Sequence, residues 1–234
     1  MEALESLLQA AAPQGGRGGR PFVTLSYAQS LDGSIAARSG RPLDLSGPQS
    51  MLLTHHLRAA HDAILVGIGT VLADNPRLTV RLAAGQDPQP VVVDSRLRFP
   101  SYAELWRHPR PPWIATAREA DAHRRQALEA AGAKVLCLPS TNGWVDLAAL
   151  LKNLSRLGIN NLMVEGGAQV ITSFLVCRLV DQMVLTIAPL LVGGLKVVDH
   201  LGPAHLSHFP RLRHLTYQQL GEDLVVRGEP DWGE

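Results

Sequence analysis

Two stretches of the chain run from an apolar strand-like segment through glycine into a helix start, the arrangement that presents free backbone N–H groups and a positive dipole end to an anion. One covers residues 64–72, where Gly67 and Gly69 flank Ile68 and the Thr70 hydroxyl is placed to cap a short helix or touch a phosphate. The other covers 162–174, where the strand runs into Glu165, Gly166 and Gly167 and a helix opens at Ala168. Glycine at such a turn allows a phosphate to approach where a Cβ would intrude. A strand-to-helix glycine turn is also a common structural device. A pair of them at strand ends of one sheet points further, to a nucleotide or dinucleotide across the sheet crest. The usual dinucleotide fingerprint fails in detail, because Leu72 stands where the third small residue belongs, and no Gly-Lys-Ser/Thr loop is present.

A third segment, VVVDSRLR (91–98), ends a strand with Ser95, Arg96 and Arg98. A hydroxyl and planar guanidinium donors suit a 2′-phosphate; a solvated loop accounts for the same residues. Arg58 and Arg81 bracket the acidic stretch around Asp74, where a surface salt bridge is the default for Arg58 and Asp74-Asn75-Pro76 serves to end a short helix. His55, His56 and His61 lie near one another in sequence, but residues 55 and 56 point to different helix faces and no carboxylate at ligand spacing completes a metal set, so they are read as non-ligands. No Gly-x-Ser-x-Gly nucleophile motif occurs.

These residues require a scaffold of alternating elements. Strand-like runs at 22–27, 64–67, 91–94, 113–116, 135–138 and 162–165 alternate with helical patterns at 49–60, 121–131, 146–157 and 168–177. That order predicts an α/β fold, a mainly parallel central sheet with helices on both faces. Ser46 and Gln49 form an S-x-x-Q capping box for the helix at 49–60. After Cys177 the pattern changes to strands alone, at 183–188, 215–220 and 224–227, which predicts antiparallel additions at one sheet edge. Residues 1–20, with a short apolar-periodic piece at 4–11 and a Gly/Arg run at 15–20, read as a flexible leader, and 21–234 as one domain.

The chain has 234 residues, 46% hydrophobic and 18% charged, enough for a sizeable core and unlike disordered or fibrous composition. A formal charge of +1 provides no whole-chain field for nucleic acid or an anionic membrane. The apolar stretches 63–73 and 183–195 are too short to span a bilayer, and the acidic start lacks a basic signal-peptide region, so a cytoplasmic location is expected. Cys137 and Cys177 lie in apolar segments and are expected to be buried, reduced thiols. A homodimer is expected from the apolar run 183–195, read as an edge strand that a second copy would cover.

PFVTLSYAQSLDGSIA (21–36), LTHHLRAAHDAILVGIGTVLADNPRLTVR (53–81), VVVDSRLR (91–98) and LMVEGGAQVITSFL (162–175), in this order, resemble the pyrimidine reductases of riboflavin biosynthesis. The likeness is nearest to the stand-alone fungal and archaeal type, which acts on 2,5-diamino-6-ribosylamino-4(3H)-pyrimidinone 5′-phosphate. With two cysteines the chain lacks the Pro-Cys-x-x-Cys deaminase module that precedes the bacterial reductase domain. The resemblance implies a dihydrofolate-reductase-like fold and NADPH as hydride donor to C1′ of the opened ribose, giving the ribitylamino product. It implies cofactor contacts at Ala28, Thr70, Asp74, Ser95, Gly166, Gly167, Ala168, Gln169 and Val170. It implies substrate contacts at Ser46, Arg58, Leu78, Arg81 and Glu165, with Glu165 and Asp74 as catalytic candidates. Ser26 and Asp44-Leu45-Ser46 depart from the bacterial Lys and Trp-Ile-Thr, as the fungal type also does. A same-fold reductase of another heterocycle, such as a dihydropterin, and an inactive nucleotide-binding relative are the alternatives.

Overall fold

The computed structural model describes residues 2–16, 18–38, 41–198, 201 and 209–233. The chain begins with α1 (Glu2–Ala10), β1 (Phe22–Ser30), β2 (Ser34–Arg38), β3 (Arg41–Pro42), α2 (Pro48–Ala59), β4 (Ala63–Gly67), α3 (Ile68–Asp74) and β5 (Gln89–Val93). A 3-10 turn (Glu104–Arg107) leads to β6 (Trp113–Ala117), α4 (Ala122–Ala130), β7 (Lys134–Leu138), β8 (Ser140–Thr141) and β9 (Trp144–Val145). Then come α5 (Leu147–Arg156), β10 (Asn161–Gly166), α6 (Ala168–Val176), β11 (Gln182–Ala188), β12 (Leu195–Lys196), β13 (Arg211–Leu220) and β14 (Asp223–Asp231).

Nine strands form one sheet in the order β13-β14-β11-β1-β10-β4-β5-β6-β7. Every pairing from β11 across to β7 is parallel, and β14 and β13 add antiparallel beyond β11. The expected mainly parallel sheet with antiparallel C-terminal strands is therefore present. Strand period 2 divides the apolar side chains between its two faces. Ala63, Leu65, Leu162 and Val164 join Leu150, Leu154, Ile171 and Phe174 of α5 and α6 in one core. Ile64 and Val66 pack with Ile68 and Val71 of α3, and Met163 and Val184 with Leu7, Leu53 and Leu57 of α1 and α2. Helices thus cover both faces.

Four sequence expectations change. The run at 183–188 is β11, an interior strand between β1 and β14 with a mostly buried pattern, so the edge-strand argument for a dimer is lost; β13 is the edge on that side and β7 the other. Part of the 1–20 leader is packed: Leu7 and Ala11 are buried because the apolar stripe of α1 has α2 to lie against. The capping box at Ser46 does not form, since Gly47 is the N-cap, Pro48 follows inside the first turn, and the Gly47 N–H is donated to Asp223 Oδ2 at 2.8 Å. Cys137 is half-buried and Cys177, just past the end of α6, is exposed; both are free.

The chain runs outward from β4 through β5, β6 and β7, then returns to insert β10 between β1 and β4. Reversals of this kind open a crevice at the carboxyl ends of the strands. The ends of β1, β10, β4 and β5 consequently lie side by side, carrying Ser30, Glu165-Gly166, Gly67 and Asp94-Ser95. Among the described residues no helix is long and apolar enough to cross a membrane.

Candidate active site

The two glycine turns meet. An added Cβ on Gly67, the N-cap of α3, would stand 2.7 Å from Val170 Cγ2, and one on Gly167, the N-cap of α6, 2.8 Å from Thr70 Oγ1. Gly166 and Gly167 have φ of +132° and +82°, conformations that L side chains rarely adopt. Adjacent strands therefore deliver two helix starts that interlock through glycine, with the first-turn amides of α6, at Ala168, Gln169 and Val170, free of intrahelical partners. This is a cradle that side chains would fill, and it fits a bound pyrophosphate.

Glu165 immediately precedes this cradle, and its carboxylate is met by a cation. Arg58 donates from Nε to Oε1 at 2.6 Å and from a terminal nitrogen to Oε2 at 2.7 Å, while its other terminal nitrogen donates to the Thr79 carbonyl at 3.1 Å. The pair is largely buried, with side-chain exposures of 11% and 14%. In place of the surface salt bridge that is the default for Arg58, α2 turns it inward to a bidentate pair with the β10 carboxylate. Burial disfavours the Arg58 cation, and Glu165 more than offsets that, holding its pKa above the ordinary value.

Arg81 lies close by and is exposed. It donates to Thr79 Oγ1 at 2.9 Å, and its pKa is lowered by burial first and then by the neighbouring positive charges of Arg58 and Arg77. Arg58 is paired with Glu165 and Arg77 with Glu104 at 3.4 Å, so Arg81 is the guanidinium of this group without an ion-pair partner among the described residues, available to an anion. Leu78, at φ +55° and 2% exposed, is the buried turn that brings this segment up to α2.

The remaining expected residues are more dispersed. Ala28 lies in the second half of β1, paired in register with Thr186. Asp74 ends α3 in an exposed position, without a hydrogen bond or ion pair among the described residues; partial burial raises its pKa. Ser95 is buried at the end of β5, where its hydroxyl oxygen accepts the Val145 N–H at 3.1 Å and keeps a hydrogen to donate. Beside it Arg96 lies over the Trp144 ring at 5.9 Å, and Arg98 is 3.9 Å from Asp94 and half-exposed. Ser46, with Asp44, Pro189, Leu190 and Glu222, lines a cavity of about 500 Å³ near the end of β11, two strands over from β10; the cavity lining includes neither Arg58 nor Glu165.

Sequence reasoning missed two features. The Arg58–Glu165 pair joins residues 107 positions apart, and no local signal reports it. The other is the burial of His55, a residue read only for metal ligation, beside this pair; its signal is its position one turn before Arg58.

Residues 21–226 match the RibD C-terminal domain. The chain belongs to that family. It is 39% identical over 213 residues to the 2,5-diamino-6-ribosylamino-4(3H)-pyrimidinone 5′-phosphate reductase of Methanothermobacter thermautotrophicus, covering 88% of this chain and 97% of the relative. Among solved structures, RibD of Acinetobacter baumannii superposes with a TM-score of 0.80 at 29% identity over 92% of this chain, which spans only 59% of that protein. The riboflavin biosynthesis reductase Rib7 of Saccharomyces cerevisiae gives 0.75 at 29% identity, with 97% and 99% of the two chains covered. Dihydrofolate reductase of Enterococcus faecalis, at 11% identity and a TM-score of 0.53, shares the fold. The dihydrofolate-reductase-like architecture expected of the RibD family is thus found in this chain.

Proposed function

We propose that this chain is an NADPH-dependent oxidoreductase of riboflavin biosynthesis that reduces the ribosylamino side chain of a pyrimidine 5′-phosphate to ribitylamino. The observation that carries this reading is contiguity. Glu165, held by Arg58, is followed without a break by the Gly166-Gly167 turn, so a carboxylate–guanidinium pair and a pyrophosphate cradle share one strand end. The relatives named as reductases of the diaminopyrimidinone phosphate support the riboflavin reading over a dihydropterin reductase or an inactive nucleotide-binding protein.

In this reading Gly166, Gly167, Ala168, Gln169, Val170 and Thr70 hold the cofactor pyrophosphate, and Ala28 and Asp74 flank it. Ser95, with Arg96 and Arg98, receives the 2′-phosphate, which gives preference for NADPH over NADH. The nicotinamide supplies the hydride when bound. Arg81 holds the substrate phosphate, an exposed cation without an ion-pair partner among the described residues. Arg58 orients Glu165, whose remaining lone pairs accept from ribose hydroxyls or take up a proton. Leu78 and Ser46 border the substrate. The substrate is a phosphorylated small molecule; a cytoplasmic location and a homodimer complete the reading. The dimer now rests on exposed Leu31, Leu190 and Leu191 rather than on an edge strand. Nucleic acid has no part in it.

Anaerobic NADPH consumption, followed with the diaminopyrimidinone ribosyl phosphate, its deaminated form and dihydrofolate in separate assays, tests the proposal. Oxidation with one of the two ribosyl phosphates and none with dihydrofolate is expected. Turnover of dihydrofolate alone would overturn it.

A further inference from the structure

Residues 78–81 carry Arg81 yet belong to no helix or strand, so their path is set by side chains from elsewhere. Three contacts fix it. Arg58 donates to the Thr79 carbonyl at 3.1 Å, Asp87 Oδ1 accepts the Val80 N–H at 2.6 Å, and His55 Nδ1 accepts the Arg81 N–H at 2.9 Å. His55 and Arg58 are three residues apart on α2, hence on one helix face, and grip the segment together.

The His55 ring is fully buried, and its Nε2 has no hydrogen-bond partner among the described residues. Leaving a buried ring nitrogen unpaired is costly, which argues that the ring is retained for what its other nitrogen does. A nitrogen that accepts an N–H carries no proton, so Nδ1 is bare and Nε2 bears the hydrogen. The groups facing the ring are Arg58 from α2, Arg81 from the loop, Glu165 from β10 and Asp87 from the following loop. Burial first, then Arg58 and Arg81, push its pKa down to about 4, which keeps it neutral. Lysine or arginine at this position would add a third cation and remove the acceptor; a neutral imidazole supplies the acceptor alone.

We infer that His55 is the positioning residue of the anion site, a neutral imidazole that fixes the Arg81 backbone and thereby places the Arg81 guanidinium for a phosphomonoester. This rests on the reading that Arg81 holds the substrate phosphate.

The test separates the two ring nitrogens. Asparagine keeps an acceptor near the Nδ1 position and glutamine places its amide near Nε2. His55→Gln is expected to raise KM for the phosphorylated substrate about tenfold with kcat within about twofold, the loss of one backbone-anchoring hydrogen bond. KM for the dephosphorylated nucleoside should not move, and His55→Asn should restore the phosphorylated-substrate KM to within about threefold of the parent. Equal KM shifts in both variants, or none in His55→Gln, overturn the inference. Arg81→Ala is assayed alongside. If it leaves KM for the phosphorylated substrate unchanged, the phosphate reading fails; if it raises KM while the His55 variants do nothing, the positioning role alone fails. Should His55→Gln not fold, the histidine nitrogen NMR spectrum of the unmodified chain decides: a bare Nδ1 with hydrogen on Nε2 supports the role, and a protonated Nδ1 contradicts it.

Discussion

Two carboxylates stand at the carboxyl side of the sheet and are used in opposite ways. Asp32, in the turn after β1, is saturated: Oδ1 accepts from Ser30 Oγ and the Val192 N–H, and Oδ2 from Ser34 Oγ, the Gly193 N–H and Lys196 Nζ. Five donors converge on about four lone-pair sites, and the Lys196 and Ser30 contacts lead in holding its pKa far below the usual carboxylate range. Among the described residues Glu165 accepts two hydrogen bonds, both from Arg58, which leaves a lone pair on each oxygen. Asp32 has nothing left to offer a ligand and serves to tie residues 192–196 to the β1–β2 turn. Glu165 is oriented yet unsaturated, the state a group needs if it is to act on a substrate. Counting donors separates a saturated carboxylate from one with free lone pairs without any ligand.

The largest effect is expected at Glu165. Glu165→Gln should lower kcat about a hundredfold, the range for one positioned acid–base group, with NADPH affinity nearly unchanged. The same change leaves Arg58 facing a neutral amide, so chemical denaturation should register a stability loss of about 3 kcal/mol. Asp32→Asn removes the Lys196 partner but no group that faces a ligand: kcat within about twofold and a lower Tm are expected, and a hundredfold loss of kcat would erase the contrast.

Next is Arg81→Ala, which should raise KM for the phosphorylated substrate about 10- to 100-fold with little change in kcat, since a phosphate handle remote from C1′ contributes mainly uniform binding. Steady-state kinetics check both parameters.

The glycines give a smaller, paired effect. Gly167→Ala must hold an L residue at φ +82° with its Cβ 2.8 Å from Thr70 Oγ1, costing about 1–2 kcal/mol and weakening NADPH binding in a fluorescence titration. Gly69→Ala, inside α3 with nothing within 4 Å of the added Cβ, should stabilise the fold by up to about 1 kcal/mol in the same denaturation assay. Equal effects at both positions would break the interlocking-turn account.

The smallest is a pH slope. His55 titrates near 4 in the folded chain against an ordinary value of 6.5, so between these values the unfolded chain binds more protons and acid favours unfolding. The stability this group contributes is fully present above about 6.5 and is lost as pH falls towards 4. Melting curves across this window should slope less steeply for His55→Asn than for the unmodified chain. His61 and His108, also lowered chiefly by burial, add to the slope with the same sign, while Asp74 and Asp94, raised by burial, oppose it.

The parallel sheet was legible because buried strands read as apolar runs: residues 64–67 and 162–165 announce β4 and β10 within a residue or two. The glycine cradle was legible because positive φ and close approach leave a residue-type signature. The Arg58–Glu165 pair was not, since charged residues carry no mark of their partner and the default for an arginine on a helix is solvent. Residues 183–188 misled for a related reason: an apolar strand reads alike at an edge or in the interior, and only the later pairing with β14 decides. The Ser46 box failed because Pro48 and the Gly47–Asp223 contact set the helix start from outside the local sequence.

The central claim, that the β10 end joins a pyrophosphate cradle to an anion-binding reaction site, is tested most directly by a crystal structure with NADP⁺ and the diaminopyrimidinone ribosyl phosphate bound. The account predicts the pyrophosphate on the turns at Gly67 and Gly166-Gly167, the substrate phosphate within hydrogen-bond distance of Arg81, and a ribose hydroxyl on Glu165. A cofactor seated away from those turns, or a phosphate not touching Arg81, would contradict it.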